Sequence, residues 1–330
     1  MEKKLIKISK KISNVILVIF TVLFLSQGSI LAAGNAVSSA AGDRFSLILK
    51  EDGTVWAWGE NRYGQLGDAT TVQQNVPVQV KELTNVIRIA AGAGYGLALR
   101  TDGTVWSWGL NTRGQLGNDT GSNSTTPIQV VGLTDVIEIA AGSSYGLALK
   151  KDGTVWRWGD GGDYLPKSYK PVKVDNLIDV KSIAAGGNHG LAIKKDGTVW
   201  AWGYNGDGQL GINNTSSTSY PNKVLNLSNI VSVAAGSRHS LALDVDGKVY
   251  AWGDNYHGQL GDGTNTQQHA PVHVRDLKDI KEIASGSNSI HSLAMGTDGT
   301  VYAWGYNEFG QLGNGTSQKS NKPIKITTTP

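Results

Sequence analysis

The 330-residue sequence has no cysteine. That removes disulfides and thiolate metal sites from consideration. It also lacks an apolar run long enough to cross a bilayer as a helix, which takes roughly 20 residues. The run from Val15 to Leu25 falls short and is broken by Thr21. No Gly-x-Ser-x-Gly elbow with acid and base partners is present. The Asp/Asn/Gly-rich loops, such as Gly261-Asp262-Gly263-Thr264-Asn265, lack the spaced ligands of a calcium loop. Positive charge is missing too, once position is considered. The formal net charge is +3, but residues 1–33 hold five Lys and one Glu, so the remainder sits near −1. A basic face for phosphate backbones, and with it nucleic acid as partner, is not implied.

What is present begins with a leader. Lys3, Lys4, Lys7, Lys10 and Lys11 precede the apolar run, and small residues follow to Ala32-Ala33-Gly34. Charged, apolar and small segments in that order predict a secretory signal, residues 1–33, cleaved after Ala33 or Ala36. The expected product is a single domain, 34–330, secreted or held at a bacterial cell surface without stable membrane insertion. Lacking disulfides, it must rely on a packed core.

The dominant signal is a repeat. Trp-Gly pairs fall at Trp58-Gly59, Trp108-Gly109, Trp158-Gly159, Trp202-Gly203, Trp252-Gly253 and Trp304-Gly305, spaced by 50, 50, 44, 50 and 52 residues. Each copy starts with Ala-Ala-Gly (Ala284-Ser285-Gly286 in the sixth), then an apolar run such as Leu97-Ala98-Leu99. Asp-Gly and a Val-Trp-Ala-Trp-like run follow. Five copies continue with Gly-Gln-Leu-Gly, and a Pro-Val-x-Val-like segment such as Pro77–Val80 closes the unit.

Asp-Gly between apolar runs signals a hairpin, because its type I′ turn needs positive φ at both central residues. The run Thr54–Trp58 is apolar on both alternating faces, as in a strand buried on two sides. A lone hairpin cannot bury two faces, so the units must stack. Pro before each Val-x-Val run suits a strand start or edge. Short strands repeated in this way predict an all-β propeller of six blades, one per copy. Asn35–Gly42 aligns with Asn85–Gly92, and the sixth copy lacks a counterpart of Leu83–Ile89 after Pro323–Ile326. The expectation is therefore a ring closed by pairing of the N- and C-terminal segments, which hides the sheet edge.

The frame Ala-Ala-Gly…Asp-Gly-Thr-Val-Trp-Ala-Trp-Gly-x-Asn-x-x-Gly-Gln-Leu-Gly, over residues 35–326, resembles the regulator of chromosome condensation repeat family. The resemblance implies a propeller with one repeat length per blade. Seven blades are usual in its well-known members, so seven stands as the alternative to six. It also implies a recognition scaffold. The founding nuclear member is an exchange factor for a small GTPase, an activity the leader and charge argue against here. A secreted bacterial branch is more similar and includes a propeller-type β-lactamase inhibitory protein, which blocks an enzyme with loops on one face. A plant ultraviolet sensor of the family uses stacked Trp. In this chain the frame accounts for all ten Trp, the remaining four being Trp56, Trp106, Trp156 and Trp200.

Candidate chemistry is sparse. His189, His239 and His291 occupy a repeat position held elsewhere by Phe45, Tyr95 and Tyr145, which reads as packing. His257, His269 and His273 have no metal-ligand spacing. No catalytic residue, cofactor or metal is expected, and the chain reads as a non-enzyme, a monomer whose expected partner is a protein. Binding information should lie where copies differ, in x-Asn-x-x-Gly-Gln. Those positions hold Glu60, Arg62, Tyr63, Arg113, Tyr204, Asp207, Asp254, Tyr256, His257, Tyr306, Glu308 and Phe309. Repetition sets them as a ring on one face, with the Tyr and Arg that protein interfaces favour. A solvated rim with scattered aromatics has the same composition. Tyr63, Tyr204, Tyr256 and Tyr306 could alternatively stack on cell-wall carbohydrate. The third copy departs from the frame: Asp160–Lys170 replaces Asn-x-x-Gly-Gln-Leu-Gly and is six residues shorter, which reads as a tolerated loop deletion. The sixth copy gains two residues near Ser289-Ile290, in a loop.

Overall fold

The computed structural model describes residues 35–326; the leader segment and its cleavage sites lie outside the described residues. Six four-stranded antiparallel sheets follow one another along the chain. Blade 1 consists of Ala36–Ala41, Phe45–Lys50, Val55–Gly59 and Gln74–Gln79. Blades 2 to 6 occupy 86–129, 136–173, 180–223, 230–273 and 280–326. The architecture is the expected six-bladed all-β propeller. In every blade the second and third strands pair across the Asp-Gly turn, as in Leu49 opposite Val55 and Phe45 opposite Gly59. Gly53 takes φ 76° in that turn, the left-handed conformation that glycine adopts without steric cost, whereas Asp52 does not, so the turn is not the expected type I′.

The expected closure by paired chain ends is not what the structure has. Among the described residues the first strand, Ala36–Ala41, pairs only with the second strand of its own blade, and Ser320–Ile326 pairs only with Val301–Gly305. Each blade is one uninterrupted stretch of chain. The Ala-Ala-Gly frame starts one strand too late: Leu83–Ile89 leads into the first strand of blade 2 and does not belong to blade 1.

Each blade has two unlike faces. In blade 2, Tyr95, Leu97, Leu99 and Val105 point toward blade 3 and pack with its Ile139, Ala148 and Trp158. Ala98, Trp106 and Trp108 point the other way, into the core shared with blade 1. Gly96 keeps space for its own blade's Trp108, since a Cβ there would come within 2.5 Å of the indole. This is why the third strand is apolar on both faces: Val and Ala serve one seam and Trp the other. The same division gives five apolar cores, one at each junction from blades 1–2 to blades 5–6. Among the described residues no such core joins blade 6 to blade 1. Trp58 is half-buried where Trp108, Trp158, Trp202, Trp252 and Trp304 are fully buried. Leu293, Met295 and Val301 of blade 6 are likewise half-buried, whereas Leu241, Leu243 and Val249 of blade 5 are buried.

The shortened third copy is absorbed structurally. Leu165 enters the slot that Leu116 fills in blade 2 and is buried in the core between blades 3 and 4. What is lost is an acceptor. Four Trp indoles donate to the carbonyl of a Gln in the preceding blade, but Trp202 faces the loop without Gln, and its Nε1 is buried with no partner.

Candidate functional site

Antiparallel order places two sets of connections at the same end of the propeller. One is the loop between the third and fourth strands, which carries x-Asn-x-x-Gly-Gln. The other is the turn between the first and second strands, closer to the axis. In blades 1 and 2 both sets line one open depression of about 370 Å³, formed by Asp43, Arg44, Glu60, Arg62, Tyr63, Gln65, Ala93, Gly94 and Leu110.

The outer loops are built by their frame residues. Asn61 is fully buried; its Nδ2 donates to Asp68 Oδ1, Thr70 O and Val72 O, and its Oδ1 accepts from Leu66 N. Asn111, Asn205, Asn255 and Asn307 repeat this pattern. Gln65 Oε1 accepts from Tyr63 N at 2.9 Å, and Gln115, Gln209, Gln259 and Gln311 do the same in their loops. The frame side chains are thus turned inward, leaving the variable ones for solvent.

The structure groups the candidate residues in sectors. In blade 1, Arg62 lies 3.7 Å from Glu60 and stacks on Tyr63, 4.5 Å from the ring centroid. Arg113 is tied to Asp160 of blade 3 at 2.8 Å. Asp207 lies 3.7 Å from Arg238 of blade 5, and burial pushes its carboxyl above the ordinary range against that cation. The largest sector spans blades 5 and 6. Tyr256, His257, Tyr306 and Phe309 form a run of edge-to-face contacts with centroid separations of 4.8, 4.8 and 6.1 Å. Tyr256 is 70 % exposed and Phe309 86 %. Asp254 Oδ1 accepts from Tyr256 N, and Tyr306 donates its hydroxyl to Glu308 at 2.6 Å. Among the described residues no ring contact links Tyr63 or Tyr204 to this run.

The inner turns add residues that sequence reasoning missed: Asp43, Arg44, Ser143, Arg238 and Asn288. They had a signal, since the two positions after each Ala-Ala-Gly differ between copies: Asp43-Arg44, Ala93-Gly94, Ser143-Ser144, Gly187-Asn188 and Ser237-Arg238. The longer sixth turn reaches across the axis. Asn288 hydrogen-bonds Ser143 of blade 3 and the side chain of Asp43 in blade 1, whose carboxyl burial raises.

The repeated histidines are core groups. His189 and His239 are fully buried, and each Nε2 lies 2.9 Å from a Ser Oγ of the next blade, Ser240 and Ser292. Burial pushes both imidazoles down to about 3, so they are neutral at physiological pH. His273 packs edge-on against Tyr250, and His269 pairs with Gln267. Among the described residues no group of three or more His, Asp or Glu could hold a metal ion. The first Trp of the frame is capped rather than displayed: Lys50, Arg100, Lys150 and Lys194 sit over Trp56, Trp106, Trp156 and Trp200.

Comparison with known proteins agrees with this geometry. Prp20p from Saccharomyces cerevisiae, described with its binding to Gsp1p and histones, superposes with a TM-score of 0.79 at 27% identity, covering 88% of this chain and 77% of that one. Yeast RCC1 (Prp20) in its structure with Kap60 gives 0.79 at 26%, covering 89% and 75%. Human WBSCR16 gives 0.78 at 24%, covering 89% and 82%, a likeness of fold. The RCC1-like domain model matches residues 21–329, and the chain belongs to that family.

Proposed function

We propose that this chain is a non-catalytic, exported scaffold that holds a protein partner on the end bearing the outer loops and inner turns. The observation that carries the reading is the exposed aromatic run Tyr256–His257–Tyr306–Phe309, with the Asp207–Arg238 pair of blades 4 and 5 beside it. Large aromatics held rigidly by a buried Asn-Gln loop lose little entropy when covered, and Tyr and Arg are favoured as interface anchors. The relatives support it: Prp20p is described with protein partners, Gsp1p, histones and Kap60. An enzyme inhibitor of the secreted type is the specific form of this reading that a β-lactamase panel would examine. Carbohydrate binding is less favoured, because Tyr63 and Tyr204 lie apart from the aromatic run.

The test is capture from the host's secreted and surface proteins with residues 34–330, alongside a bait carrying Tyr256→Ala, Tyr306→Ala and Phe309→Ala. A saturable protein partner is expected with the native bait and at least about tenfold less with the variant, since one or two lost anchors of 1.4 kcal/mol or more suffice. Equal capture by both baits would remove this face from consideration. Retention only on purified wall polysaccharide would replace protein recognition by carbohydrate binding.

A further inference from the structure

Chain direction decides what each end of the propeller carries. The first strand of every blade starts at the Asp-Gly end and runs toward the inner turns. In blade 1, Ala36 lies opposite Lys50, and Glu51 N in the Asp-Gly turn donates to Asn35 O at 3.1 Å. The last strand finishes at the same end, with Ile326 opposite Val301. The described chain thus enters and leaves the propeller opposite the outer loops and inner turns.

That end displays aliphatic side chains. Ile87, Ile137 and Val231 are the second residues of the first strands of blades 2, 3 and 5. First strands of neighbouring blades lie against one another, around the axis. Ile178 stands two residues before the first strand of blade 4, and Val245 sits in the Asp-Gly turn of blade 5, its N–H on Asn229 O. The five range from 43 % exposed at Ile87 to 64 % at Val245. Singly such residues need no explanation, but here they share one end. Among the described residues no exposed aromatic joins them: Tyr164, Tyr256 and Phe309 lie in outer loops, Tyr169 and Tyr220 on fourth strands. Protein interfaces enrich aromatics and Arg, so an aliphatic set without them fits lipid better. Farther from the axis stand Trp56, Trp106, Trp156 and Trp200, half-buried, each with Nε1 on a Thr hydroxyl and a cation over its ring. Indoles with an apolar body and a polar tip suit a membrane–water boundary. Beside them the charges come in both signs, Lys50 with Asp52, Arg100 with Asp102, Lys150 with Asp152 and Lys194 with Asp196, as zwitterionic headgroups require.

The leader supplies the tether. Nine residues, 26–34, separate its apolar run from Asn35. Fully extended they reach about 30 Å. We propose that, while the leader is attached, the Asp-Gly end seats on a zwitterionic membrane surface, with the aliphatic residues against lipid and the loop end facing away. The apolar run is too short to span a bilayer, and stable attachment then takes a second contact. A tether of this length raises the effective concentration of that contact to the order of millimolar, so a weak seat is enough. The orientation leaves the loops free for a partner.

The absence of cysteine makes the test direct, because a single introduced thiol carries the label. The full chain, residues 1–330, is reconstituted in phosphatidylcholine vesicles containing a nitroxide-bearing lipid. A fluorophore is attached at Ile178→Cys or Val245→Cys, and in a third sample at Tyr256→Cys on the opposite end. The inner three strands of each blade are five or six residues long. They hold the two ends about 20 Å apart, so quenching at 178 and 245 should exceed that at 256 at least about threefold. The difference should persist at about 0.5 M salt, where surface charges are screened. Equal quenching at the two ends would overturn the proposal, since a propeller tumbling on its tether gives that result. Loss of the difference in salt would overturn the aliphatic seat. Ile87→Asn, Ile137→Asn and Val231→Asn together should bring the signal at 245 down to the level at 256, with the chain still on the vesicles through its leader. An unchanged signal at 245 would also overturn the proposal. The labels on the otherwise native chain decide the orientation whether or not the triple variant folds.

Discussion

At the scale of single residues, the buried histidines set the response to acid. His189 and His239 titrate near 3 in the folded chain and near 6.5 when unfolded, so between those values the unfolded state binds more protons. Their contribution to stability is complete above pH 6.5 and is lost as pH falls toward 3. Urea midpoints measured from pH 7 to pH 4 should therefore decline, and His189→Gln with His239→Gln should flatten that decline. The sequence announced these residues as packing because Phe and Tyr take the same place in other copies. Their hydroxyl partners were harder to see, since Ser240 and Ser292 lie a whole copy away and look like ordinary strand residues.

At the scale of the element, the loop after five of the six Trp-Gly pairs is held by one amide. Asn111 Nδ2 donates to Asn118 Oδ1, Thr120 O and Ser122 O at 3.0, 3.0 and 2.9 Å, and its Oδ1 accepts from Leu116 N at 2.9 Å. Asn111→Ala strands those groups and should cost on the order of 3 kcal/mol, while Thr112→Ala, on the exposed side of the same loop, should stay within about 0.5 kcal/mol. Chemical denaturation of the two variants separates the outcomes. The loops and the Asp-Gly turns were legible because each needs particular residue types at fixed offsets. The inner turns were passed over because only two variable positions follow each Ala-Ala-Gly, too few to stand out beside the longer outer loops. The boundary between blades was misplaced for a related reason: a periodic sequence has no marked origin, and only the sheet pairing shows which strand opens a blade.

At the scale of the whole molecule, the cores are separate objects strung along the chain. Trp108 belongs to the core of blades 1 and 2, and Trp158 to that of blades 2 and 3. Truncating either to Ala should cost roughly 3–5 kcal/mol. Because the two sites share no partner, the double variant should match the sum of the singles within about 0.5 kcal/mol. A larger coupling in denaturant melts would mean that blade 2 transmits strain from one core to the next. Blade number followed from counting copies. The unpaired junction did not, because repetition writes the same faces on every copy and the angle between neighbours is set by side-chain packing.

The uninterrupted blades carry one more consequence, for inheritance. Since, among the described residues, no sheet borrows a strand from a distant part of the chain, an in-frame duplication or excision between matching points of two copies adds or removes a complete, self-paired unit. Except beside the third copy, which lacks the Gln, the new neighbours meet through the same Trp and Gln contacts as the old ones. Recombination between similar stretches of its own gene can therefore change the size of this protein in whole blades, with the outer loops and inner turns reshuffled at each event.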